Sequence, residues 1–455
     1  MKKRGIPLAL TLVVCTSAVA QPMGDILITD ATVLTVTNGT LEEADVLILG
    51  GRIAAVGKNL GAPPDVLRID ASGMYVMPGI IDAHSHIGIS NVNESTAPVT
   101  AQVSVGDVIN PYAVSIYRAL AGGVTTSHVM HGSANVIGGQ NETIKHRWGI
   151  TDPDGLRMEG APRTIKFALG ENPTRVHGQG ANVRPASRMG VEYVLRETFN
   201  KAQRYAEAWK QYEEISETSS RAISPPYNAQ LEVMGDILSG DIIINCHSYR
   251  ADEILMLLDV LEDFGIDRVI FQHVNEGFKI APELAQFGAA ASVFADWWAY
   301  KFEVYYSTAY NAAILTRNGV VTSINSDSSE LNRHLYHEAG KSQKYGGLSD
   351  DEALALITIN PAKQLGIDDR VGSIEAGKNG DLALFNAHPL SVYAIPQMTI
   401  VDGTVYFDID KDPDDMRLRV DPESNVESVT LSDDRDHEMC LYDGDIDLFE
   451  YLQGE

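Results

Sequence analysis

Two histidines separated by one residue, His84 and His86, close the apolar run PGIIDAHSHIG at residues 78–88. Alternate residues of a strand face the same way. Two imidazoles here can therefore reach one ion, with Ser85 turned aside. Three other strand-like runs end in the same chemistry: DIIINCH at His247, RVIFQHV with His273, and VVTSINSD at Asp327. Imidazole and carboxylate together suit Zn²⁺ or a similar first-row ion. Each residue alone has a plainer reading. A lone histidine among apolar neighbours is usually a satisfied core or surface residue, and Asp327 could cap the following helix. Five such residues at the ends of four strands carry the metal reading.

The elements that must position them follow from the pattern of the chain. Residues 25–77 read as β, in runs such as ILITDATVLTV and DVLILGGRIAAVG separated by Asn-Gly and Gly-Gly turns. A similar texture returns in GSIEAGKNGDLALFN and MTIVDGTVYFD. The economical reading is one small β domain made from both chain ends, residues 21–77 and 366–410. Between them, over residues 78–365, strands and helices alternate regularly, which argues for a TIM-like (β/α)8 barrel. Active-site residues of that fold sit where strands end. The count is incomplete between GGVTTSHVM and DIIINCH. Two strands are needed, TIKFAL is one, and ETIKHRW and LRMEG compete for the other. SANVIGGQN reads as an insertion.

The chain has 455 residues, 44% hydrophobic and 21% charged, an ordinary globular composition. Lys2-Lys3-Arg4, an apolar stretch from Ile6 to Cys15, and Ala18-Val19-Ala20 form a secretory signal peptide over residues 1–20. The expected location is periplasmic or secreted, with cleavage after Ala20. A lipoprotein reading on Cys15 is disfavoured by Val14 before it. No later run is apolar enough to span a bilayer, so stable membrane insertion is not expected. Of three cysteines, Cys15 leaves with the leader, and Cys246 and Cys440 do not demand a disulfide. A net charge of −27 repels nucleic acid and anionic membrane and suits high ionic strength. Residues 411–455 read as a solvated acidic tail. DIDKDPDD lacks the glycine and the twelfth-position glutamate of a calcium loop.

PGIIDAHSHIG, His247, His273 and SINSDS together resemble the amidohydrolase superfamily, especially its imidazolonepropionase-like branch. The resemblance covers nearly all of the chain after the leader. The flanking β segments look like that family's composite β-sandwich, and NPAKQLGIDDRVGSIEAGKNGDLALF is similar to its return into that sandwich. The resemblance implies metal-dependent hydrolysis of a C–N bond at a carbonyl, with one or two ions, zinc first. His84 and His86 would bind the more buried ion, and His247 and His273 the second. Asp327 would ligate the first and take a proton from the attacking water. A carboxylated lysine at the end of strand four would bridge two ions. Lys166 in TIKFALGENP matches that place best, with Lys145 in ETIKHRW as its rival. Carbamate formation needs an uncharged, desolvated amine.

Substrate recognition is more open. Tyr249 and Arg250 follow His247 directly and could grip a substrate carboxylate or polarised oxygen. Their plain alternative is helix-start packing and a salt bridge to Asp252 or Glu253. GENPTRVHG contributes Glu171, Asn172 and Arg175, and WWAYKFEVYY offers Lys301 and Glu303. Three functions follow. The first is an exported dipeptidase or N-acyl amino acid hydrolase, since export favours scavenging. The second is a cyclic-amide hydrolase or deaminase on the same ligands. The third is a non-catalytic binding protein on a hydrolase scaffold. The expected partner is a small amide or dipeptide; a monomer and a homo-oligomer both fit.

Overall fold

The computed structural model of the chain describes residues 24–298 and 301–411. The leader with Cys15, and the tail from residue 412 with Cys440, lie outside the described residues.

Five strands come first: β1 (Ile26–Leu34), β2 (Thr40–Leu49), β3 (Arg52–Gly57), β4 (Leu67–Asp70) and β5 (Tyr75–Pro78). Eight follow: β6 (Ile80–Ser85), β7 (Val124–Val129), β8 (Ile137–Lys145), β9 (Arg163–Ala168), β10 (Ile242–Ser248), β11 (Val269–His273), β12 (Ala290–Val293) and β13 (Thr322–Ile324). The last three are β14 (Leu382–Phe385), β15 (Pro396–Val401) and β16 (Thr404–Asp408). The first five and last three share one sheet, ordered β16-β15-β14-β5-β1-β2-β3, with β4 beside β1. The chain ends meet where β5 and β14 run antiparallel, Tyr75 opposite Phe385 and Pro78 opposite Leu382. Gly50 and Gly51 join β2 to β3 with φ of 56° and 78°, the left-handed pair that a tight hairpin needs. Ile28, Val46, Ile48, Val76 and Leu384 pack beneath this sheet, each side chain contributing about 1.5–3 kcal/mol by leaving water.

The middle strands form a nearly closed barrel, ordered β13-β12-β11-β10-β9-β8-β7-β6. From β9 to β13 all pairs are parallel, as are β6 and β7. The expectation of unbroken β-α alternation fails at β8, which is antiparallel to both neighbours. Only residues 130–136 separate β7 from β8, too short a link for the crossover that a parallel strand requires. The stretch read as an insertion, SANVIGGQN, therefore leads into the third barrel strand and supplies its first residues. ETIK ends that strand, LRMEG forms none, and TIKFAL falls within and just after the fourth, β9. Helices Ala251–Asp263, Ala281–Phe287 and Asn311–Arg317 connect the later strands. They bury Leu257, Leu261, Leu284 and Leu315 against the barrel. No helix of the described residues is long and apolar enough to cross a membrane.

Candidate metal centre

His84, His86, Lys166, His247, His273 and Asp327 come from β6, β9, β10, β11 and the segment after β13, and all are buried. Asp327 Oδ1 lies 3.1 Å from His86 Nε2 and 3.4 Å from His84 Nε2. Its Oδ2 lies 3.9 Å from His273 Nε2. One ligand atom each from His84, His273 and Asp327 falls within 4.8 Å of the others. The His247 and His273 rings are 4.6 Å apart, His84 and His273 5.0 Å, and His84 and His86 5.1 Å.

Local backbone explains part of this convergence. Gln272 donates to Asn245 Oδ1 at 2.8 Å inside the barrel, and Asn245 lies on the same strand face as His247. By simple alternation His273 would face the other way. It adopts φ 70° instead, followed by Val274 at 48°, and its ring meets His247. Asp327 has φ 46°. Non-glycine residues in this region carry strain and cluster at functional sites.

The donor set fits a divalent cation. Both ring nitrogens of His247 and of His273 are buried without a hydrogen-bond partner, an arrangement costly in a purely structural core. His86 Nδ1 pairs with the Met130 carbonyl at 2.8 Å, which turns Nε2 towards Asp327; such partners fix the ligating nitrogen. Burial, and then the Lys166 ammonium for His84 and His273 for His247, holds both imidazoles far below the ordinary range. Burial brings His273 down to about 3. Burial alone would raise Asp327, but His86 and His273 outweigh it and leave its pKa below normal. Neutral imidazoles beside an ionised carboxylate are the forms that bind metal.

The two lysines part company. Lys166 Nζ lies 2.8 Å from His84 Nε2 and 3.9 Å from Met130 Sδ. Lys145 is at the opposite end of the barrel, ion-paired with Asp381 and, at 2.9 Å, with Asp402. It is removed as the rival bridging residue, because antiparallel β8 ends at the foot of the barrel.

Tyr249 is buried and stacks on His273 at 5.1 Å and 19°. Arg250 does not join the cluster. It binds Asp252 with contacts of 2.9 and 3.0 Å on an exposed face. This is the plain alternative, since a carboxylate two residues on is its nearest partner. Lys301 Nζ sits 4.2 Å over the Tyr249 ring, donates to Asn172 Oδ1 at 3.0 Å, and lies 3.5 Å from both Glu171 and Glu303. Glu303 also meets Arg188 at 2.5 Å and accepts from the Glu171 backbone N–H at 3.1 Å. Glu171 thus stands at the rim, and Arg175 is half-buried in the next turn, Arg175–Gly180. Met130 and Phe294, which stacks on His273 at 4.8 Å, are absent from the sequence reading. Their signal is position alone, just beyond the ends of β7 and β12. Two other buried histidines follow the plain reading. His128 is held between Thr143 and Thr164 at 3.0 and 2.9 Å, and His131 accepts from the Glu94 N–H at 2.8 Å.

Residues 305–411 match the model of the amidohydrolase family. A crystal structure of an amidohydrolase from Thermotoga maritima MSB8 superposes with a TM-score of 0.78 at 32% identity, covering 84% of this chain and all of that one. The chain belongs to the amidohydrolase family. The family's enzymes are metal-dependent hydrolases acting on C–N bonds. Amidohydrolase tasK of Hapsidospora irregularis is 32% identical over 398 residues, 80% of this chain. The chain spans 40% of that relative's length. A 5-methylthioadenosine/S-adenosylhomocysteine deaminase of Symbiobacterium thermophilum is 22% identical over 85% of this chain and 94% of its own. The family acts on small-molecule substrates.

Proposed function

We propose that this amidohydrolase is an exported zinc enzyme that hydrolyses a dipeptide or an N-acyl amino acid. The convergence of four buried imidazoles and one buried carboxylate on one site carries the reading. His84, His86 and Asp327 would hold one ion, and His247 and His273 would hold a second where two are bound. Lys166, once carboxylated, would join the ligands. Its burial and its 2.8 Å approach to His84 support that role, as does the engagement of Lys145 elsewhere. Bound zinc supplies Lewis acidity, lowering the pKa of water and polarising a carbonyl. Asp327 accepts the proton of the attacking water and passes it to the leaving nitrogen. Tyr249, packed between His273 and the Lys301 ammonium, orients the substrate. Glu171 and Arg175 line the rim. The basic, apolar and A-x-A segments of residues 1–20 support export.

Deamination is the second reading, favoured by the deaminase among the relatives. Elemental analysis of protein purified without chelator, followed by dipeptide and N-acyl amino acid panels, separates the two. About two ions per chain with release of an amino acid supports the first. One ion with ammonia release supports the second. Asp327→Asn is expected to lower kcat about a thousandfold while most metal stays bound; near-normal turnover would remove its proton role.

A further inference from the structure

The barrel has one weak seam. No ladder joins β13 to β6 among the described residues, and β13 is only three residues long. Yet this seam must set the distance between His84 on β6 and Asp327 just beyond β13. Besides the approach of the Asp327 carboxylate to His84 and His86, two contacts to backbone span it there. The Asp327 N–H donates to the His84 carbonyl at 3.0 Å. The other contact is made by Asp82, a fully buried carboxylate two residues before His84. Its Oδ1 accepts from the backbone N–H of Ser326 at 3.1 Å and of His84 at 3.3 Å. Its Oδ2 accepts from the Ser326 hydroxyl at 2.5 Å.

We propose that Asp82 is a positioning residue that clasps β6 to the segment after β13 and thereby sets the His84–Asp327 geometry. One side chain binds the backbones of both ligand-bearing segments, immediately beside each ligand. The clasp also has strain to hold. Asp327 occupies the left-handed region at φ 46°, a strained conformation for a residue with a Cβ. Such a conformation persists only where neighbouring contacts over-determine it; the bonds from the Ser326 N–H to Asp82 and from the Asp327 N–H to the His84 carbonyl fix the two peptides before it. A side chain with two acceptor oxygens suits the task because all three groups facing it are donors. Asp82 itself bonds Ser326 and the His84 backbone. Its effect runs through His84 and Asp327.

This inference rests on the reading that those two residues ligate the ion. The test therefore begins with the unaltered full chain, whose zinc affinity is measured by competition with a chromogenic chelator. Absence of zinc binding there would defeat the ligand reading, and the clasp with it. Given binding, Asp82→Ala is expected to weaken zinc affinity about ten- to a hundredfold, with a comparable fall in kcat and KM changed less than about threefold. Asp82→Asn keeps an acceptor for the two N–H groups and should recover most of both. Ser326→Ala should show a smaller loss of the same kind. Zinc affinity and kcat unchanged in all three variants would overturn the proposal. So would a lowered Tm with normal affinity and turnover per folded molecule, which would mark Asp82 as structural only. If Asp82→Ala does not fold, Asp82→Asn and Ser326→Ala carry the test, each expected to fall below the unaltered chain in zinc affinity.

Discussion

Lys145 and Lys166 are both fully buried, and they stand on adjacent barrel strands. Lys145 ends antiparallel β8 at the foot, where Asp381 and Asp402 neutralise it. Arg147 shares Asp402 at 2.7 Å, and Asp381 accepts from the Asp402 N–H at 2.8 Å. These acids lie before β14 and between β15 and β16, so the network ties the barrel to the sheet formed by the chain ends. Lys166 has imidazole for company instead, 2.8 Å from His84. A buried cation already matched by carboxylates holds structure together. A buried lysine placed among imidazoles lacks that compensation, the kind of environment that marks a candidate functional residue.

Four experiments would break or sharpen that contrast. Lys166→Met should lower kcat about a hundredfold and reduce bound metal. Its stability should change by less than about 1 kcal/mol, since the replacement is similar in volume and apolar. Steady-state kinetics with elemental analysis and a denaturant titration would check both halves, and full activity would erase the distinction. Lys145→Met should do the reverse. It leaves Asp381 buried beside Asp402 without its cation and should cost about 3–5 kcal/mol, with turnover per folded molecule preserved.

The foot also carries His146, whose Nδ1 meets the Val124 carbonyl at 3.0 Å. Burial pulls its pKa down to about 4. The unfolded chain protonates this histidine near its ordinary value of 6.5, and the folded chain resists until about 4. Stability should therefore fall as pH drops through that window, by about 3 kcal/mol for this one group. A flatter Tm profile in His146→Gln would confirm the assignment; an unchanged profile would refute it. Smallest of all, Arg250→Ala removes an exposed pair with Asp252. It should cost under about 1 kcal/mol and leave kcat/KM within about twofold. A tenfold loss would return Arg250 to the substrate site.

The sequence by itself determined the residue types of the buried cluster and the strands that bear them. His84-x-His86, His247, His273 and Asp327 stand at ends of apolar runs, and strand ends of a barrel converge. It also placed Lys166 on the fourth strand, although the third was uncertain. Only the tertiary structure decided the rest. The direction of β8 depends on a link too short for a crossover, and that direction sends Lys145 to the foot. His273 and Asp327 reach their neighbours through left-handed backbone, which a two-residue period cannot foresee. Arg250 was separated from Tyr249, although adjacent in sequence, because one ring stacks on His273 while the guanidinium has a carboxylate within reach outside. Periodicity records which residues leave water. Which buried groups then meet depends on strand direction and on contacts between residues far apart in the chain.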